Sequence, residues 1–168
     1  MMAAELLPPP LTTRALRDAL GRFTTGVTII SCLDAAGTPV GLTANSFNAL
    51  SLDPPLVLWS LRRPSGHADA FRAARYFAVN VLAESQVDLS RRFAAKAADK
   101  FSEGVWTAGA GGAPVLAGCA AVFECATESQ QQAGDHLLFI GRVLAVMEAP
   151  LPPLVFQAGH YRMLGEVL

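Results

Sequence analysis

Two short segments carry side chains that could do chemistry. In Gly41-Leu-Thr-Ala-Asn-Ser-Phe47, the small polar residues Thr43, Asn45 and Ser46 interrupt a run that otherwise reads as a strand. Such a strand can simply face solvent. It can equally offer hydroxyl, amide and backbone groups to a flat heteroaromatic ring. In Gly134-Asp-His136, an imidazole stands directly before the apolar Leu137-Leu-Phe-Ile140. Gly-Asp suits a turn. That turn is either a plain connection or a device that aims His136 at a site beside the sheet, with Asp135 able to hydrogen-bond the ring. The Gln130-Gln-Gln132 run just before it could lengthen or loosen the hairpin.

Most familiar signatures are missing. Gly109-Ala-Gly-Gly-Ala-Pro114 is the one glycine-rich run, and it lacks the Lys-Ser/Thr of a phosphate-binding loop and the GxGxxG of a dinucleotide fold. HExxH, GxSxG and paired-carboxylate patterns do not occur. His67, His136 and His160 are too scattered to predict a metal site, and none is expected. The net charge of -1 argues against a general nucleic-acid binder. Cys32, Cys119 and Cys125 form no CxxC pair and read as buried thiols of a cytoplasmic protein. The N-terminus lacks the basic region of a signal peptide, and the longest apolar runs are too short to span a bilayer, so no membrane partner is expected.

The elements that must position these residues follow from length and patterning. The 168 residues suit one domain, with 52% apolar and 16% charged residues, and so little charge suggests apolar surface hidden by a partner subunit. Residues 1–13 read as a flexible, proline-containing lead-in and 14–168 as the domain. A helix is predicted over Arg14 to Phe23, capped by Thr13 and closed by Gly26, with Leu16, Leu20 and Phe23 on a buried face. Strands are predicted over Val27 to Leu33, Val40 to Leu50, Leu56 to Leu61 and Phe77 to Leu82. Two more form a hairpin over Cys119 to Ser129 and His136 to Met147, and a short last one runs from Leu154 to Gln157. Helices are predicted over Ala68 to Ala74 and Gln86 to Ala98, and Gly104 to Gly118 reads as loop. Many short strands joined by hairpins predict a mainly β, closed or nearly closed barrel with helical covers.

In order along the chain, Leu20-Gly-Arg-Phe-Thr-Thr-Gly-Val-Thr28, Gly41–Phe47, Ser51-Leu-Asp-Pro-Pro-Leu56, Phe77-Ala-Val-Asn-Val-Leu82, Asp99-Lys-Phe101, Gly134-Asp-His136 and Gly159-His-Tyr-Arg162 resemble the flavin reductase-like family of FMN-binding split β-barrels. The resemblance implies a homodimer that binds FMN or FAD near the subunit interface and uses NADH or NADPH as reductant. Thr43, Ala44, Asn45 and Ser46 then border the flavin ring and ribityl chain. Ser60, Leu61 and Arg62 meet the ribityl and phosphate groups, Ser65 and His67 add donors, and Lys100 with Phe101 stands beside the phosphates. His136 falls on the nicotinamide side as the catalytic residue, with Tyr161 a weaker candidate there. The implied activity is NAD(P)H-dependent flavin reduction, supplying reduced flavin to a separate monooxygenase. The alternative is a flavin-binding electron carrier, or a flavoprotein reducing another acceptor.

Overall fold

Short runs of β-branched and aromatic residues set the architecture. The computed structural model describes residues 10–96, 99–102 and 106–167. The lead-in over residues 1–9, the last two residues of the helix predicted to end at Ala98, and Gly104 lie outside the described residues. In chain order the elements are α1 (Thr13–Leu20), β1 (Thr25–Gly26), β2 (Thr28–Leu33), β3 (Pro39–Ala44), β4 (Asn48–Leu52), β5 (Pro55–Arg62), α2 (Ala68–Ala73), β6 (Tyr76–Val81) and α3 (Val87–Ala94). They continue as β7 (Trp106–Ala108), β8 (Pro114–Leu116), β9 (Ala121–Ala133), β10 (His136–Glu148), β11 (Val155–Gln157) and β12 (His160–Arg162). The protein is mainly β, as the patterning predicts.

Seven strands form one sheet in the order β3-β2-β6-β9-β10-β5-β4. Every neighbouring pair in it is antiparallel. β3 leaves one edge at Ala44 and β4 opens the opposite edge at Asn48. A flat seven-stranded sheet would be about 28 Å across, while the intervening chain reaches about 14 Å. The sheet must therefore curl until its edges approach. Ser46 ties them: its hydroxyl donates to the Ser60 carbonyl at 2.9 Å and accepts from the Ser60 N–H at 3.0 Å.

The predicted second strand, Val40 to Leu50, is thus two strands on opposite edges. Pattern alone does not show the break, because Asn45 to Phe47 leave β3 and Ser46 bonds to Ser60 on β5, near the far edge of the sheet. β2 reads as a continuous apolar run because both its faces are buried. Ile30 and Cys32 enter one core with Trp59, Phe71, Phe77 and Phe139, while Val27 and Ile29 enter another with Leu82, Phe93, Leu116 and Leu154. Trp59 stacks on Phe139 with centroids 4.5 Å apart. β1, β11 and β12 form a small separate sheet.

Two further expectations change. The first helix is capped by Thr12 and ends at Leu20, and it buries no residue. Its predicted apolar face points outward: Leu16 is 44%, Leu20 64% and Phe23 72% exposed. The spacing is helical, but none of the described residues buries that face. The predicted loop over Gly104 to Gly118 contains the paired strands β7 and β8, each three residues long. They dock through buried Asn80, whose amide donates to the Ile29 carbonyl at 3.1 Å and accepts from the Leu116 N–H at 2.8 Å. Buried Ser31 also donates to the Pro114 carbonyl.

Candidate functional site

Where the sheet edges meet, a cavity of about 630 Å³ opens between the end of β3, the end of β5, the turn into α2 and the end of α3. It brings together Thr43, Ala44, Asn45 and Ser46 with Ser60, Leu61 and Arg62, then Ser65, His67, Lys100 and His136. Two sequence candidates fall elsewhere. The Phe101 ring packs edge-on against Phe93 and Trp106 in the second core. Tyr161 lies behind α3, lining a different hollow with Val87, Leu154 and Arg162. Residue type suits both to a ring-binding wall, but the side of α3 on which each falls is a tertiary property.

The antiparallel register sets His136 opposite Arg62. Its Nδ1 lies 2.7 Å from the Asp135 carboxylate. That hydrogen bond holds the Asp135 carboxyl below its usual range, and His136 lines the cavity. The Asp135 carbonyl also accepts the Arg63 N–H at 2.9 Å, pinning the hairpin turn to the end of β5. Gln130 to Gln132 extend β9 rather than loosen it, pairing with Phe139, Leu138 and Leu137.

On the opposite wall Lys100 is only 7% exposed, and its Nζ donates to the Phe93 carbonyl at 2.8 Å, near the end of α3. Burial pushes its pKa down. Burial, and then the nearby Lys100 ammonium, push the His67 imidazole below its ordinary value. Ser65 turns the chain there, its hydroxyl accepting the His67 N–H at 3.2 Å. Sequence reasoning missed the end of α3 itself, where Phe93, Ala94, Ala95 and Lys96 line the cavity. Lys96, four residues before Lys100, was the available signal.

The cavity can therefore do two things. Its Lys100 wall can hold an anion, and its rim carries an oriented imidazole. The thiols take no part: burial raises Cys32 to about 12, Cys119 to about 11 and Cys125 to about 12, and all three are buried. Among the described residues no group of His, Cys, Asp and Glu could hold a metal ion. Among them, too, no helix is long and apolar enough to cross a membrane.

Comparison with known proteins decides the family. The profile of the flavin reductase like domain matches residues 20–165. This chain belongs to the flavin reductase-like family. It is 45% identical over 160 residues to a probable flavin reductase of Rhizobium meliloti, covering 95% of this chain and 50% of that protein. The chain thus spans half the length of that relative. It is 42% identical over 161 residues to the reductase subunit HsaB of a flavin-dependent monooxygenase of Rhodococcus jostii, covering 95% of this chain and 80% of that one. Among solved structures it is similar to an NADH:FAD oxidoreductase of Streptomyces globisporus in complex with NAD and FAD fragments. There the TM-score is 0.87 at 36% identity, covering 96% of this chain and 98% of that one.

Proposed function

We propose that this protein is an NAD(P)H-dependent flavin reductase that binds FMN or FAD in the cavity at the meeting of the sheet edges. The observation that carries this reading is the donor set. An ammonium has three N–H groups, and a buried one needs an anionic or well-bonded partner. Lys100 gives one hydrogen bond to Phe93 and lines the cavity with Arg62, Ser65 and His67. That set suits a phosphate. The strand Thr43–Ser46 suits the edge of a flat ring, with Asn45 exposed and the Ser46 hydroxyl already engaged with Ser60.

A flavin held there supplies a two-electron acceptor for a hydride from the reduced nicotinamide. The chain's own task is placement: Lys100 and Arg62 hold the phosphate end, β3 holds the ring, and His136 on the rim orients the nicotinamide. Hydride transfer depends on stacking and distance more than on a strong acid or base. The names of the Rhodococcus and Streptomyces relatives support NADH as reductant and a separate monooxygenase as the consumer of reduced flavin.

We also propose a homodimer. The uncovered apolar residues include Leu16, Leu20 and Phe23 near the N-terminus and Leu144, Val146 and Met147 on β10. Pairing two chains would remove such apolar surface from water.

The test follows absorbance at 340 nm in air, with NADH or NADPH, with and without added FMN or FAD. Oxidation should require flavin and saturate with it, and His136→Ala should lower kcat/KM for NADH about tenfold. Absence of nicotinamide consumption under every condition would overturn the activity. A His136→Ala rate within about twofold of wild type would overturn the role given to His136.

A further inference from the structure

We infer that Tyr161, although outside the cavity, is a positioning residue for it, acting through Ser90. This inference rests on the reading of the cavity as a flavin site. Helix α3 is held at Ser90 from two sides. The Thr43 hydroxyl, on the cavity wall, donates to the Ser90 carbonyl at 2.6 Å. Behind the helix, the Ser90 hydroxyl meets the Tyr161 hydroxyl at 2.8 Å. Ser90 is fully buried, so neither bond can be replaced by water without opening the packing. The Tyr161 ring is itself fixed, edge-on to Phe156 with centroids 5.6 Å apart and beneath the Arg91 guanidinium at 5.7 Å.

This arrangement has a chemical consequence on the cavity side. Thr43 has one hydroxyl proton, and Ser90 takes it, so the Thr43 oxygen can present only lone pairs to a bound ring. It becomes an acceptor of fixed orientation. Near its end the same helix presents the Phe93 carbonyl that accepts from the Lys100 ammonium, so its placement sets both the acceptor and the cationic wall. Tyr161 and Ser90 thus act as one unit from which two sides of the cavity are positioned.

The test compares Tyr161→Phe, Ser90→Ala and the double variant by titrating FMN and following quenching of its fluorescence, with thermal unfolding measured alongside. Each single substitution should raise the Kd about three- to tenfold. The double variant should match either single one, because the two hydroxyls form one bond. Fluorescence anisotropy of saturated FMN should fall as the ring gains freedom. A lowered unfolding temperature with Kd and anisotropy unchanged would mean a purely structural bond and would overturn the inference, as would additive effects on Kd. Tyr161→Phe removes a single oxygen from a partly exposed residue, so it decides the matter even if Ser90→Ala does not fold. If wild-type protein quenches no FMN fluorescence, the flavin reading fails instead.

Discussion

Two polar clusters border the second core, one at Leu116 and one at Phe93, and they differ in how fully their donors are used. Around Asn80 and Ser31, both fully buried, the side-chain groups are partnered within the chain: Asn80 reaches the Ile29 carbonyl, the Ser31 hydroxyl and the Leu116 N–H. Around Lys100, the ammonium has a single hydrogen bond among the described residues and shares an open cavity with His67 and Arg62. Polarity is common to both clusters, so it does not mark a site. Donor capacity left over beside a cavity does. The closed cluster fixes β7 and β8 to the sheet, and the open one is where the proposed function puts the flavin phosphate.

The sharpest way to break this contrast is Asn80→Ala. It leaves the Leu116 N–H buried and unpartnered, and should cost about 2 kcal/mol in urea unfolding. A cost under about 1 kcal/mol would mean that the closed cluster is dispensable.

A smaller effect should appear in pH. The folded pKa of His67 lies below its ordinary 6.5 because of burial and Lys100. Below 6.5 the unfolded chain takes up a proton that the folded one resists, so this contribution to stability is intact above 6.5 and is lost as pH falls toward the folded value. Thermal unfolding of ligand-free protein from pH 7.5 downward should therefore decline less in His67→Gln than in wild type. Parallel curves would show that the imidazole does not feel the cationic wall.

Much of this was legible in the residues, for identifiable reasons. β2 and β6 declare themselves through β-branched and aromatic runs, and the turn at Gly134-Asp-His136 falls where local chemistry puts it. The break at Asn45 was not legible, because Ser46 bonds to Ser60 fourteen residues away. Nor were β7 and β8, which are three residues each and held by Asn80 from another part of the chain. The face of α1 has the right spacing for burial, yet the described residues leave it exposed. At the site, residue types singled out Thr43, Asn45, Ser46 and His136 and the family resemblance implied the other seven cavity residues, but neither distinguishes Phe101 and Tyr161, which sit in a core and behind α3.

The most direct test of the central claim, that the Lys100 wall takes a flavin phosphate, is to titrate wild type and Lys100→Met with FMN and with riboflavin, which lacks the phosphate. The account predicts that wild type binds FMN about tenfold or more tightly than riboflavin. Lys100→Met should lose most of that preference while keeping its riboflavin affinity and, freed of a buried charge, its stability. Equal binding of FMN and riboflavin by wild type, or a preference untouched by Lys100→Met, would contradict it.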